Sequence, residues 1–432
     1  MSHDTIFALA TPPGRGAVAV IRLSGPQVAG TLEALGAGGL KPRLAGVRTL
    51  AHAGAALDQA LVLRFVAPHS YTGEDVAELH LHGGRAVVEA VSAALIDTGL
   101  RPAEPGEFTR RAFQNGRMDL TQAEAVADLI DAETSAQARQ ALGQLEGALA
   151  QTYAALRARL VRALALVEAE IDFPDEDVPE NLARSAGPVL DELIQALEAA
   201  LGDAARGERV RDGYRVVLIG ETNAGKSSLF NALVARDAAI VTPIPGTTRD
   251  VLDAELTLGG YRVILSDTAG LRDSDDAVEA EGVRRARARA ESADLRLWVR
   301  APGDPDGAAA PFVRSGDLIV WTKADLGAPA GEGLSVSAAT GAGLEALRAA
   351  LTDRVTAALS GSDFPPVTRA RHRRRLEAAR SAALSARHRL ADAPELAGEE
   401  LRRAGAALAA VTGAVGVEEI LGEVFANFCI GK

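Results

Sequence analysis

The apolar run Tyr214 to Ile219 ends at Gly220-Glu221-Thr222-Asn223-Ala224-Gly225-Lys226-Ser227, after which the chain turns helical. A strand, a loop with this Gly-x-x-x-x-Gly-Lys-Ser spacing and a helix aim a row of backbone N–H groups and a helix N-terminus at one small volume, an arrangement suited to phosphate. The residues beyond alternate between β-rich runs and helices. The runs are Ala254 to Leu258, Tyr261 to Ser266, Asp294 to Val299, Asp317 to Trp321 and Leu334 to Ser337, with a helix beginning near Gly343. Such alternation predicts a doubly wound α/β sheet. Gly259-Gly260 joins two of the runs as a two-residue hairpin, so one antiparallel edge strand is expected in an otherwise parallel sheet.

The chemistry expected of this loop follows from residue type. Lys226 brings a charge to the β- and γ-phosphates, and the Ser227 hydroxyl is placed for Mg²⁺. Asp267-Thr268-Ala269-Gly270 ends the third strand, where the carboxylate can hold the metal through water and Gly270 can donate its N–H to the γ-phosphate. Between them, Gly246-Thr247-Thr248-Arg249-Asp250 forms a loop that can close over the metal, with Thr248 as its second ligand. Thr322-Lys323-Ala324-Asp325 follows the fifth strand, and Asp325 can accept from guanine N1–H and its exocyclic amine, which adenine cannot match. Guanine-binding proteins usually carry Asn where Thr322 stands, so one brace is altered. Ser337-Ala338-Ala339 completes the base site with backbone donors. The residue after Gly270 is Leu271, where Ras-like enzymes have a water-orienting glutamine. Hydrolysis then needs another water-positioning group and another positive charge. The acidic stretch Asp273 to Glu279 offers candidates for the first, and also reads as a solvated loop.

The rest of the 432 residues is enough for about three domains. Residues 1 to about 118 mix short β-like runs, such as Ala17 to Leu23 and Val76 to His82, with a helix from Arg85 to about Thr98, and read as a small α+β domain. From Leu120 to about Leu201 the texture is alanine- and leucine-rich helix, expected to break near Phe173-Pro174 and Pro188. After Phe364-Pro365-Pro366 the same texture returns from Val367. The sheet is therefore expected to be inserted into a helical domain.

No run approaches the ~18 apolar residues of a membrane span, and the start lacks a signal-like segment, which predicts a cytoplasmic protein with no membrane partner. One cysteine, Cys429, rules out an intramolecular disulfide and a cysteine-built metal cluster. It reads either as a small buried hydrophobe or as a reactive thiol. A net charge of −12 argues against nucleic-acid binding over the whole surface, though five arginines fall between Arg369 and Arg375. Those arginines are either a solvated helix start or an RNA contact. His80 and His82 share one strand face without further ligands at metal spacing.

Beyond the nucleotide motifs, the chain carries Thr11-Pro12-Pro13-Gly14-Arg15-Gly16, Tyr71-Thr72-Gly73-Glu74-Asp75, Pro105-Gly106-Glu107-Phe108 and a terminal Phe428-Cys429-Ile430-Gly431-Lys432. Together these resemble, over the full length, the tRNA-modifying GTPase family MnmE (TrmE). The resemblance implies an N-terminal folate-binding and dimerising α+β domain over residues 1–118 and a discontinuous helical domain over 119–212 and 361–432. It implies an inserted Ras-like P-loop GTPase domain over 213–360. It also implies a homodimer that forms a heterotetramer with the flavoprotein MnmG and places an aminomethyl or carboxymethylaminomethyl group on C5 of the wobble uridine of certain tRNAs. Its cofactors would be GTP, Mg²⁺, K⁺ and 5-formyltetrahydrofolate or a related one-carbon folate.

Residue by residue, the resemblance puts K⁺ on Asn223, Thr242, Ile244 and Thr247, where the ion replaces the missing charge, and gives water activation to Glu279. GTP contacts extend to Ala224, Gly225, Ser228, Pro243, Pro245, Gly246, Thr268, Ala269 and Ala324. Folate contacts fall on Arg22, Glu78, Arg117 and Lys432. Arg117 departs from the lysine expected there, and a guanidinium meets ligands differently from an ammonium. A GTP-dependent RNA or ribosome assembly factor without one-carbon chemistry is the alternative reading, with less use for the terminal Phe-Cys-Ile-Gly-Lys and the N-terminal motifs.

Overall fold

The structure is a computed structural model that describes residues 4–172, 182–237, 253–267, 284, 287–304, 310–327, 331–361, 364–414, 421, 424–425 and 428–431. They divide into two compact units: residues 1–127, 145–183 and 389–432 form one, and residues 128–144 and 184–388 the other. Helical segments belong to both.

The first unit is built on strands β1 (Ile6–Leu9), β2 (Val18–Ser24), β3 (Gly46–His52), β4 (Ala55–Phe65), β5 (Val76–His82) and β6 (Arg101–Pro102), in the order β3-β4-β5-β2-β1-β6. Every pairing is antiparallel except β1 with β6. Because side chains alternate along a strand, Ile21, Leu23, Leu79 and Leu81 enter one core with Val28 and Leu32 of helix Val28–Ala34 and Val91 and Leu95 of helix Arg85–Asp97. Burying each such side chain stabilises the fold by about 1.5 to 3 kcal/mol. The alternate positions Arg22 and Glu78 stand directly opposite one another on the other face, which also gathers Ile6, Ala8, Phe108 and Tyr71.

Helices Glu107–Gln114, Ala148–Asp172 and Pro394–Thr412 complete this unit, with the start of helix Leu120–Ile130. Near its end the chain packs back: Phe425 and Phe428 join Leu120 and Ala123 in a small core. Gly106, at φ 66°, lies so close to Phe428 and Phe425 that a Cβ would come within 2.9 Å of Phe428 Cβ. Gly431 meets the carbonyl of Leu9, which a Cβ would approach to 2.3 Å. These two contacts are why glycine stands in both motifs.

In the second unit, strands β7 (Tyr214–Ile219), β8 (Asp253–Leu258), β9 (Tyr261–Asp267), β10 (Leu295–Arg300), β11 (Leu318–Trp321) and β12 (Leu334–Ser335) form a sheet ordered β12-β11-β10-β7-β9-β8. Only β8 runs antiparallel, joined to β9 through Gly259 and Gly260, both at positive φ. The hairpin expectation holds. Helices Lys226–Asp237 and Leu344–Leu359 supply Leu229, Leu233, Leu347 and Leu351 to a core with Val216, Leu218, Leu265, Leu297 and Val320. Val217 and Ile219 face the other way, toward Ala290 and Ala293.

The break expected near Pro188 falls at Ala186, between the short helix Leu182–Ser185 and helix Gly187–Gly202, whose first turn holds Pro188. The residues near Phe173 lie outside the described ones. Two further breaks follow Ile130 and Leu145, each with a local cause or restart. Thr134 and Gln137 form a reciprocal cap, with Gln137 N–H donating to Thr134 Oγ1 (3.3 Å) and Thr134 N–H to Gln137 Oε1 (3.1 Å), which opens helix Ser135–Leu145. Asp119 and Gln122 do the same before helix Leu120–Ile130. Gly147, at φ 95°, turns the chain into helix Ala148–Asp172. Among the described residues no helix is long and apolar enough to cross a membrane.

Candidate nucleotide site

The phosphate loop is shaped by close backbone approach. A Cβ on Gly220 would sit 2.2 Å from the carbonyl of Val299 on β10; only glycine fits. Asn223 and Gly225 take left-handed conformations, at φ 66° and 92°, turning the loop before helix Lys226–Asp237 begins. Lys226 is 7% exposed and donates to the carbonyls of Gly220 (3.1 Å) and Glu221 (2.9 Å). Burial pushes its ammonium below the usual lysine range, with Asp267 opposing the shift. That cation sits inside the loop it serves.

Ser227 and Asp267 meet as the motif spacing requires. The Ser227 hydroxyl donates to Asp267 Oδ2 at 2.6 Å, while Asp267 Oδ1 is buried and has no hydrogen-bond partner among the described residues. A buried carboxylate oxygen left unmade beside a hydroxyl suits a hydrated divalent cation, since oxygen ligands and retained waters are what Mg²⁺ takes. The donor set fits the metal.

At the base side, Thr322 gives a result the sequence did not show. Its hydroxyl donates to the carbonyl of Ala224 at 2.5 Å and lies 3.1 Å from the carbonyl of Arg300. Thr322 therefore braces β11 to the phosphate loop, in a position where an asparagine was expected, and Gly225 leaves room for it. Lys323, at φ 53°, donates to the carbonyl of Asn223 at 2.8 Å. A left-handed non-glycine residue costs about 1 to 3 kcal/mol and persists where its surroundings over-determine it. Ser337 is buried and its hydrogen bond holds the Asp325 carboxyl below the usual range. The loop carrying Ser337, Ala338 and Ala339 is closed by Ser337 N–H to Ala342 O (2.9 Å) and Gly341 N–H to Ser337 O (2.8 Å). Ala324 N–H donates to Val336 O at 3.1 Å, tying the two base-site loops together. Beside this loop Arg300 lies 4.7 Å from the ring centres of both Trp298 and Trp321.

Asn223, Ala224, Gly225, Lys226, Ser227, Ser228, Asp267, Thr322, Lys323, Ala324, Asp325 and Ser337 to Ala339 are thus all placed around one end of the parallel strands. Thr242, Pro243, Ile244, Pro245, Gly246, Thr247, Thr248, Thr268, Ala269, Gly270 and Glu279 lie outside the described residues. So does Lys432.

In the first unit, Arg22 donates through Nε and Nη2 to Glu78 Oε1 at 3.0 and 2.9 Å. Its guanidinium lies over the rings of Tyr71 (5.4 Å) and Phe108 (5.8 Å). His80 Nε2 is buried, has no hydrogen-bond partner among the described residues, and lies 3.5 Å from Glu78. Arg117 is exposed and borders Gly73. This is a polar and aromatic patch on an otherwise packed sheet. Behind it Arg111 and Glu107, 3% and 2% exposed, pair at 2.8 Å, and Arg111 also reaches Glu74 and Asp4. Burial raises the Glu107 carboxyl, but Arg101, the Glu104 N–H and Arg111 outweigh it and hold its pKa at about 2. Glu74 and Glu107 stand in two of the motifs quoted from the sequence, but the network they form with Arg101, Arg111 and Asp4 was not read there, because nothing local marks ion pairs that join a helix to β6 and to the residues before β1.

A model of the MnmE helical domain matches residues 120–429, and a model of the GTP-binding protein TrmE N-terminus matches residues 5–117. The chain belongs to the MnmE family of GTPases. Proteins named tRNA modification GTPase MnmE match it end to end. That of Caulobacter vibrioides is 55% identical over 99% of this chain and 100% of its own length. That of Phenylobacterium zucineum is 52% identical over 99% and 100%, and that of Maricaulis maris 53% over 100% of both.

Cys429 of this MnmE-family chain is exposed, which overturns the buried-hydrophobe reading. Its backbone carbonyl accepts from Gly106 N–H at 3.4 Å, so docking of the tail turns the thiol outward. Two arginines of the 369–375 cluster are used internally: Arg369 pairs with Asp128 (2.6 Å) and Arg373 with Glu208 (3.0 Å). His82 pairs with Asp58 at 2.7 Å, and no group of metal-ligating side chains occurs among the described residues.

Proposed function

We propose that this MnmE-family chain hydrolyses GTP in the service of tRNA modification, as a cytoplasmic homodimer acting with MnmG to add an aminomethyl or carboxymethylaminomethyl group to the wobble uridine. The observation that carries the reading is the convergence of a guanine-type base loop, Asp325 with Ser337, and a metal-type pair, Ser227 with Asp267, on one phosphate loop. Lys226 neutralises phosphate charge, the loop N–H groups orient the nucleotide, and Asp325 selects guanine because the wrong base leaves buried polar groups unpaired. Ser227 and Thr248 would hold Mg²⁺, which supplies charge stabilisation on the phosphate oxygens. Asn223, Thr242, Ile244 and Thr247 would hold K⁺ in place of an arginine, and Glu279 would orient water in place of the glutamine that Leu271 displaces.

Residues 1–118 serve, in this reading, as the folate-binding and dimerising domain, 213–360 as the GTPase domain, and 119–212 with 361–432 as the helical domain. Arg22 and Glu78, with Arg117 and Lys432, would hold the folate. Support comes from the charged and aromatic character of the Arg22 patch. The test is wobble-uridine analysis of tRNA from cells lacking the protein: loss of the C5 group is expected, and normal modification would overturn the assignment in favour of a GTP-dependent assembly factor.

A further inference from the structure

Helix Ser135–Leu145 buries glutamines where a core helix carries leucines. Gln137, Gln140 and Gln144, spaced i, i+3 and i+7 on one face, are 7%, 5% and 1% exposed. Two of them meet backbone carbonyls of helix Ala204–Asp212, Gln137 Nε2 donating to Arg211 O (2.8 Å) and Gln140 Nε2 to Gly207 O (3.2 Å). Gln144 differs: neither its Nε2 nor its Oε1 has a hydrogen-bond partner among the described residues. A buried amide with both ends unmade is costly unless something fills the space before it.

That space is a cavity of about 230 Å³, which Gln144 lines with Asp128, Ala141, Arg211 and Arg262. Its walls offer more unmade groups. Asp128 Oδ1 takes both Arg211 Nε (2.8 Å) and Arg369 Nη2 (2.6 Å), leaving Oδ2 buried and without a hydrogen-bond partner among the described residues. Arg262 Nε also lacks a hydrogen bond among the described residues, its neighbouring carboxylate Glu133 being 3.6 Å away. The open groups are therefore two donors and two acceptors, with a carboxamide among them.

We propose that this cavity is a second binding site, for a small planar lactam: a ring bearing C=O beside N–H, the edge shared by uracil and hypoxanthine. A carboxamide pairs with such an edge through two hydrogen bonds at once, the same logic by which glutamine reads a base. Arg262 Nε and Asp128 Oδ2 add one donor and one acceptor beyond that pair. The volume suits a single six-membered ring, being about eight times the ~30 Å³ share of a water molecule. Asp131 and Asp212 also line the cavity and repel a phosphate backbone, which favours a free base or nucleoside over a base presented by RNA.

The test uses the full-length protein saturated with GDP, so that the nucleotide site is blocked, and saturation-transfer NMR of uracil. The expected result is transfer to uracil, none to 1,3-dimethyluracil, which keeps the ring and carbonyls but has no N–H, and no displacement by hexauridylate. Gln144→Leu should weaken uracil on the order of 10- to 100-fold and leave GTP turnover unchanged. Equal transfer to both pyrimidines, full uracil binding by the Gln144→Leu protein, or no transfer to uracil at all would overturn the site and leave a cavity that holds ordered water only. Displacement by hexauridylate would overturn the free-base source. The comparison of the two pyrimidines needs only the unmodified protein, so it decides even if the leucine variant does not fold.

Discussion

Thr322→Val tests whether the threonine brace does what an asparagine would. Valine keeps the shape and deletes the hydroxyl that donates to the Ala224 carbonyl at 2.5 Å. A buried acceptor left unpaired costs about 1 to 3 kcal/mol, and each 1.4 kcal/mol is about tenfold in an equilibrium constant. If the loop cannot relax when empty, the cost falls on stability; if it can, the cost reappears when nucleotide reorders it. The two together should amount to about 1 to 3 kcal/mol, or up to roughly 100-fold in GDP affinity if all of it lands there. Titration of a fluorescent GDP analogue and thermal unfolding of the nucleotide-free protein measure both parts. Thr322→Asn restores a donor and should recover most of the loss. A valine variant with unchanged affinity and an unchanged unfolding midpoint would refute the brace.

Asp325→Asn replaces an acceptor with a donor toward the base, so GDP affinity should fall by at least about 100-fold while xanthosine diphosphate gains; competition binding reads both. GTP turnover should rise with K⁺ and collapse in Na⁺, and equal rates in a steady-state assay would remove the ion from Asn223. Glu279→Ala should slow single-turnover hydrolysis with GTP binding nearly intact; an unchanged rate would make it an ordinary loop residue. Glu107, held at about 2 against an ordinary value of 4.5, contributes about 3 kcal/mol. Because its folded pKa is depressed, that stability is present above about pH 4.5 and is lost as pH falls toward 2. Acid unfolding followed by circular dichroism should show this slope, and Glu107→Gln should reduce it and lower stability at pH 7 by about 3 kcal/mol, Arg111 keeping Asp4 and Glu74 as partners.

The parallel sheet was legible because each strand announces itself locally, as an apolar run bounded by turn residues, and because Gly259-Gly260 admits one kind of connection. The phosphate loop was legible for the same reason. Thr322 was not: its hydroxyl acts on Ala224, 98 positions away, and a substitution at a motif position shows that a group has changed without showing where its replacement reaches. The helix start at Leu120 was read from its texture, and the one at Ser135 could have been read too, since Asp119-Leu-Thr-Gln122 and Thr134-Ser-Ala-Gln137 both carry capping-box spacing. The division of the helices between two units could not, because alanine-rich helices look alike whichever core they enter. Cys429 was misjudged on its chemistry: a lone cysteine is most often buried, but the backbone contacts of Gly106 and Gly431 fix the tail by its main chain and its phenylalanines, leaving the side chain between them outside.

The stacking of Arg300 against Trp298 and Trp321 has a practical optical consequence. These are the chain's two tryptophans, and both lie on adjacent strands of the second unit, one of them immediately before Thr322. Tryptophan emission is therefore a built-in reporter of that unit alone, with a guanidinium positioned to alter it when the base loop shifts. Under tryptophan-selective excitation the first unit, which has tyrosines but no tryptophan, is dark. Emission thus follows the melting of the second unit while far-ultraviolet dichroism follows both, and their difference reports the first in the unlabelled protein.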